Sequence, residues 1–394
     1  MNTGLRQAKY IVNGYSRKTN FMFGSAVAKI NEKPEFGATM KHSSLLFLLA
    51  LAALLLWQCS KNTSEPPLPA GPDTTSHSFT WTLDTIGTRS SYLLDVAIVN
   101  ENDIWAVGEI HTAETDTVDS LGNWVPPYNA VHWNGSEWEF QRIFVNFRGQ
   151  PTWVALQGVF ALKDGNVIFS SGLPYLPEAN GWKLYHLWDM GVLDDEDGSV
   201  YRIWGTSLSN LYFAGSKGTI VHYNGSSWQK LDSGTEATIQ DIWGAQDPIS
   251  NEYYILCAVA NTTSSGDRKI VRIFNNGTVD TLNWKPERRA LSIWFNEPNT
   301  IFASGDGVFF RHQQEPWQLD ETLPSYTKER IRGTDINDIF VVGHFGLVGH
   351  FNGLNWRHYP EVAAALYYSC SYKNQTMAAV GERNARGVIL RMQR

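Results

Sequence analysis

The chain has 394 residues, of which 13% are aromatic, 16 of them Trp, and only 18% charged; this supplies a buried core and argues against a disordered chain. The net charge of −7 is unevenly spread: residues 1–58 carry seven Lys and Arg against two Asp and Glu, leaving 25 against 37 in residues 59–394. So acidic a second part, with no basic stripe, repels phosphate backbones and excludes nucleic acid as a partner.

Residues 1–39 show no helical or strand periodicity and precede what reads as a complete export signal, so they are taken as a non-native upstream extension. The signal occupies residues 40–58: Met40-Lys41-His42, two serines, then thirteen apolar residues from Leu45 to Trp57. At 1.5 Å per residue that run spans about 20 Å, short of the roughly 30 Å hydrocarbon core, so a cleaved leader is expected rather than a membrane-spanning helix. Residues 59–77, rich in Pro, Ser and Thr, read as a disordered tether. Cys257 and Cys370 sit in apolar strand-like runs and form no Cys-x-x-Cys pair, so both are expected as buried thiols.

From residue 78 to 394 the chain repeats itself every 38–64 residues, the signature of blades or solenoid units. The clearest unit runs Tyr201-Arg-Ile-Trp-Gly205, Asn210-Leu-Tyr-Phe-Ala-Gly215, Gly218-Thr-Ile-Val-His-Tyr223, then Asn224-Gly225-Ser-Ser-Trp228. The same grammar returns at Ile331–Trp356 and around Gly108 and Trp138, with weaker copies centred on Gly172, Ala260, Gly305 and Gly381, making seven units. Each reads as a meander of short apolar strands divided by Gly and Asn. Asn-Gly at 134–135, 224–225 and 352–353 predicts type I′ hairpins between the third and fourth strands. The last unit ends on a third strand, Val388–Arg394, while Phe79–Ile86 stands as a fourth strand without a blade; pairing them closes a ring and removes its open edges. The expected fold is all-β, a seven-bladed β-propeller closed by its N-terminal strand.

These Trp-Gly, Ala-Val-Gly and Asn-Gly-x-x-Trp units resemble the repeats of bacterial extracellular seven-bladed propeller lipoproteins, and distantly those of sialidase-like and photosystem assembly factor-like propellers. The Leu56-Trp57-Gln58-Cys59 end of the leader is similar to a lipobox, although Trp57 and Gln58 depart from its usual small residues. The resemblance implies that Cys59 is lipidated and becomes the mature N-terminus, placing the protein on the bacterial cell envelope by a lipid anchor alone, with secretion as the alternative.

The residues themselves offer a binding surface more readily than a reaction centre. His132, His222, His312 and His350 occupy equivalent places in different units, too far apart to share a metal ion, so no metal site is read from them. Asp194-Asp195-Glu196-Asp197-Gly198 looks like a calcium loop but puts Leu193 and Trp204 where ligands are required, so it reads as a hydrated acidic turn. The chain carries no phosphate loop, zinc helix or nucleophile elbow, and no cofactor is expected. Aligning the innermost strands puts Asp95, Gly158, Arg202, Asp241, Ser292 and Arg330 at equivalent places lining a channel, with Val96, Val159, Ile203, Ile242, Ile293 and Ile331 packing between blades. Pairing of Arg202 with Asp241 on the adjacent blade is the simplest expectation for this ring, and binding of a small polar ligand the alternative. Glu109–Asn129, Leu173–Trp182 and Asn261–Lys269 read as insertions between second and third strands, presenting Trp124, Tyr128, Tyr175 and Trp182 on one face for recognition.

The function expected from these features is a non-enzymatic, monomeric binding or scaffolding protein that holds an envelope or extracellular protein or glycan. The alternative is a glycan-cleaving propeller, which needs paired carboxylates or an arginine cluster with a tyrosine nucleophile. Arg202 and Arg330 lie three blades apart, and so do Asp95 and Asp241, so neither constellation is evident.

Overall fold

The computed structural model describes residues 73–394 except 262–266, 283 and 285–286. The upstream extension, the leader, Cys59 and the tether up to residue 72 therefore lie outside the described residues. Within them, seven four-stranded antiparallel sheets follow one another as a propeller. The innermost strands are Tyr92–Asn100, Gly158–Ala161, Val200–Ser207, Ile239–Gln246, Ala290–Trp294, Lys328–Asp335 and Leu366–Lys373, of blades 1 to 7 in order. The fourth strand of blade 7 is Thr80–Ile86, paired antiparallel with Arg386–Gln393 from Thr80 opposite Gln393 to Ile86 opposite Gly387. The ring closes as its terminal half-blades predict.

A β-bulge near the start of the innermost strand is the device that shapes six of the seven blades, blade 2 pairing in regular register. It falls between Leu93 and Asp95, Val200 and Arg202, Ile239 and Asp241, Ala290 and Ser292, Lys328 and Arg330, and Tyr367 and Ser369. The extra residue bends the strand and re-aims the side chain that follows it. It also pushes backbone against the end of the second strand: a Cβ on Gly343 would sit 2.0 Å from the Thr327 carbonyl oxygen, and one on Gly381 1.8 Å from that of Leu366. Glycine faces the bulge in blades 1, 3, 5, 6 and 7, where a Cβ would crowd the bulged backbone, while Val259 takes that place in blade 4.

The apolar residues after the bulge pack between blades. Val96, Ile242, Ile293 and Ile331 are buried, and the core clusters join neighbouring sheets, as where Val96 and Ile104 of blade 1 meet Val380 and Ile389 of blade 7. Tryptophans two residues past the bulge reach the next blade: Trp204 Nε1 donates to the Gly244 carbonyl at 3.0 Å and Trp243 Nε1 to that of Phe295 at 2.8 Å. A side chain at Gly244 would collide with the Trp204 ring, which accounts for the Trp-Gly spacing.

Two readings need correction. The Asn-Gly turns are not type I′: only the glycines take positive φ, at 96°, 93° and 93° for Gly135, Gly225 and Gly353. Asn134, Asn224 and Asn352 instead accept the backbone N–H groups two and three residues ahead with their side-chain oxygens, closing four-residue loops. Trp138, Trp228 and Trp356 still open the fourth strands. The second correction is that Leu173–Trp182 is no insertion, because Pro174–Glu178 and Gly181–Leu184 are the third and fourth strands of blade 2.

The described end of the tether, Asp73–His77, lies on blade 6. Thr75 N–H donates to the Asn352 carbonyl at 3.2 Å, Thr75 Oγ1 to that of Asn337 at 2.6 Å, and Tyr359 OH to that of His77 at 2.7 Å.

Candidate functional site: the channel

The bulge sends Asp95, Arg202, Asp241, Ser292, Arg330 and Ser369 toward the axis, where most are consumed by one another. The Asp241 carboxylate, 1% exposed, accepts Arg330 Nη1 at 2.5 Å, Arg332 Nη1 and Nη2 at 2.8 Å each, Ser292 Oγ at 2.5 Å and Ile293 N–H at 3.1 Å. Burial raises its pKa, but the two guanidinium groups outweigh that and hold it well below the usual carboxylate range. Burial draws Arg330 down to about 10 despite Asp241, with Arg202 adding to the depression, so Arg330 stays charged at neutral pH. Asp95 accepts Ser369 Oγ at 2.6 Å and the Val96 and Val159 N–H groups at 3.1 Å each, and Ser369 in turn receives Arg330 Nε at 3.3 Å.

A structural rule runs through these bonds. The inward acceptor of one blade takes the N–H that follows the equivalent position in the next blade: Asp95 from Val159, Asp241 from Ile293, and Ser292 from Ile331 at 3.2 Å. These side chains rivet the inner strands together. Gly158 belongs to the same packing, because a Cβ there would meet the Tyr201 carbonyl oxygen at 2.0 Å.

The expected partnership of Arg202 with Asp241 is not formed. Asp241 is held instead by Arg330, two blades away, and by Arg332, which the sequence reading missed because it occupies the second inward position of its strand. Arg202 lies over the Tyr201 ring at 5.5 Å, has no carboxylate within 4.0 Å among the described residues, and leaves its buried Nε without a hydrogen-bond acceptor. Arg202, Arg330 and Arg332 nevertheless line one pocket with Asp95 and Asp241, so the channel brings together charges that blade count alone keeps apart.

That pocket holds about 440 Å³. Its wall follows the inner strands from Asp95, Arg202 and Asp241 to Lys163, Thr206, Gln246, Thr334 and Lys373 at their far ends. It therefore opens on the side of the turns between first and second strands. The insertion Glu109–Asn129, between second and third strands, emerges on the opposite side because alternate turns of a meander do.

The four aromatics expected on a loop face do not form one. Trp124 is 56% exposed, on a short hairpin of Thr117–Val118 with Trp124–Val125, edge-on to Trp153 at 5.8 Å. Tyr128 begins the third strand of blade 1, against Phe140 and beneath the Arg142 guanidinium at 3.9 Å. Tyr175 is 3% exposed within the core between blades 1 and 2, and Trp182 donates Nε1 to the Val167 carbonyl at 2.9 Å while packing on Trp105 and Phe169.

The equivalent histidines serve their own blades. His132 meets Asp103 Oδ1 at 2.8 Å, His222 meets Asn210 Oδ1 at 2.9 Å, His312 meets Thr300 Oγ1 at 3.0 Å, and His350 meets Asp338 Oδ1 at 2.8 Å, each partner opening the second strand of that blade. The acidic turn folds on itself, with Asp194 accepting from Glu196 N–H, Asp197 accepting from Asp194 N–H, and Lys230 set 2.5 Å from Asp197. Cys257 and Cys370 are buried free thiols, and burial raises the pKa of both.

The chain matches no protein-family profile and no curated protein. Among solved structures it is similar to YCF48 bound to D1 peptide, with a TM-score of 0.56 and 14% identity over 82% of this chain and 100% of that one. YCF48 from Cyanidioschyzon merolae aligns with a TM-score of 0.54 and 15% identity, over 79% of this chain and 98% of that one. A catalytically inactive variant of virginiamycin B lyase from Staphylococcus aureus with quinupristin aligns at 0.55 and 12% identity, over 79% and 99%. At such identities the likeness is one of fold, and by fold the chain is a seven-bladed β-propeller with YCF48 among its neighbours.

Proposed function

We propose that this protein is a non-catalytic binding propeller of the bacterial cell envelope, anchored by a lipid on Cys59, that holds an envelope or extracellular protein or glycan. The observation that carries the reading is the state of the channel carboxylates. Asp241 accepts five hydrogen bonds from four residues and Asp95 three, so both act as rivets between blades rather than as a free acid and base. Hydrolysis by a carboxylate pair needs one group free to give a proton and another free to take one or to attack. A pocket with a rigid, hydrogen-bonded floor is suited to recognition instead. The neighbouring structure of YCF48 with a D1 peptide is in keeping with a propeller that binds protein.

The test has two parts. Labelling with a fatty-acid analogue in a bacterial host is expected to mark the wild-type chain and not Cys59→Ser. A binding screen of the full-length chain in detergent against envelope proteins and glycans is expected to give saturable binding without turnover. Release of sugar from any bound glycan would overturn the non-catalytic reading.

A further inference from the structure

Of the three guanidinium groups in the channel pocket, two are spent on Asp241 and one is not. Arg202 stands where blades 1, 4 and 5 place an acceptor, so it cannot serve as the rivet its position normally supplies. Its Nε is buried without an acceptor, and no carboxylate lies in ion-pair range among the described residues. Three guanidinium groups here face two carboxylates, and Arg202 works against the protonation of Arg330. An excess positive charge in a partly desolvated recess is costly until an anion enters. Farther out on the wall, Lys163 and Lys373 also have no acidic partner among the described residues, so the approach is cationic although the protein is acidic.

We propose that the channel pocket binds a small carboxylate-bearing ligand, with the carboxylate on Arg202. A single free planar guanidinium matches one planar monoanion in two parallel hydrogen bonds. The pocket volume of about 440 Å³ admits a ligand of a few rings or residues. Trp243, whose ring lies under the Arg332 guanidinium at 4.6 Å, and Gln246, whose Nε2 is bonded to Asn251, also line the pocket. The proposal rests on the binding reading above and adds the chemistry of the ligand; a carboxylate of this kind comes from an acidic sugar or from a peptide C-terminus.

The experiment is calorimetric titration of the full-length chain in detergent, at fixed ionic strength, with glucuronate, glucose, inorganic phosphate, N-acetyl-dialanine and N-acetyl-dialanine amide. Saturable binding is expected of glucuronate or of the free-acid dipeptide, whichever source the pocket serves, with glucose and the amide at least about tenfold weaker, the size of one charge-assisted contact. Arg202→Gln is expected to lose about tenfold or more for the bound carboxylate while keeping its melting temperature, since Arg202 makes no ion pair among the described residues. Arg202→Lys is expected to keep part of the affinity, and Trp124→Ser, on the opposite face, all of it. Equal binding of acid and neutral probes, a preference for phosphate, or full affinity in a folded Arg202→Gln each overturns the proposal, as does the absence of saturation by both carboxylates. If the carboxylates fail while an envelope protein or neutral glycan still binds, only the ligand chemistry falls. Chemical conversion of a probe would bring down the binding reading itself.

Discussion

Asp241 of blade 4 and Arg330 of blade 6 meet across the channel at 2.5 Å, both 2% or less exposed, with Ser292 of the intervening blade bonded to the same carboxylate. Three blades are joined through one acidic side chain. Asp241→Asn leaves two guanidinium groups without their counter-charge, and the removal of one partner from a buried pair costs about 3–5 kcal/mol. Chemical denaturation is expected to show that loss, whereas Arg202→Gln is expected to move stability little. An Asp241→Asn midpoint equal to wild type would show that the channel charges do not hold the blades.

The bulge and its glycine make a second, local prediction. Gly343→Ala sets a methyl group against the Thr327 carbonyl, and a blade must shift to admit it. Overpacking of this kind costs about 1–3 kcal/mol. Gly122→Ala is the control, because nothing lies within 4 Å of a Cβ there, although its φ of 82° imposes some backbone strain. A lowered melting temperature in Gly343→Ala well beyond that of the control is expected.

The seam between blades 6 and 7 titrates. His350 is fully buried, with Nε2 at 2.8 Å from Asp338 and Nδ1 at 2.8 Å from His77 Nδ1; a hydrogen bond between two ring nitrogens needs one of them bare. Burial lowers the His350 pKa below 6.5, against the pull of Asp338 and with help from His77 and Arg394. The unfolded chain therefore takes up this proton first, and stability falls as pH drops from about 6.5 toward the lower folded value. Asp338, which burial would raise, is brought down to about 2 by hydrogen bonds from His350, Arg394, Tyr372 and Thr334. Its contribution is present above its unfolded value of 3.8 and disappears as pH falls toward 2. Melting curves between pH 8 and 2 are expected to show two losses, the upper one reduced in His350→Gln and carried on by His222 and His358, whose pKa values burial also lowers.

Closure by the N-terminal strand predicts that deletion of residues 78–86 exposes the long edge of Arg386–Gln393 and removes Phe79 and Leu83 from the core of blades 6 and 7. Open edges pair with other chains. Aggregation in size-exclusion chromatography is the expected outcome, and a soluble monomer of unchanged stability would contradict the closure.

Trp228 is half-buried, packed on Tyr223 of its own hairpin and Tyr185 of blade 2. Trp228→Ala is expected to cost about 2–3 kcal/mol, below the roughly 3–5 of a fully buried ring, because part of its surface already meets solvent. Thermal denaturation checks it, and an unchanged midpoint would place the ring outside the packing.

By itself the sequence determined what depends on neighbours along the chain. The Asn that caps the hairpins of blades 1, 3 and 6, the Trp that opens their fourth strands and the glycine behind five of the six bulges act within one blade, so their spacing revealed the meander, the count of seven and the half-blades that close the ring. Blade 2 was the partial failure: Pro174 and Pro177 make its third strand read as a loop, and only its pairing with Val167–Ser170 and Gly181–Leu184 shows otherwise. Tertiary structure alone decided which inward charges meet. The inner strands converge on an axis, so separation across the channel follows from the closed ring and not from blade number, and Asp241 finds Arg330 and Arg332 before Arg202. Among the described residues the same convergence leaves Arg202 without a carboxylate in ion-pair range, and it sets the pocket on the face opposite the Glu109–Asn129 insertion.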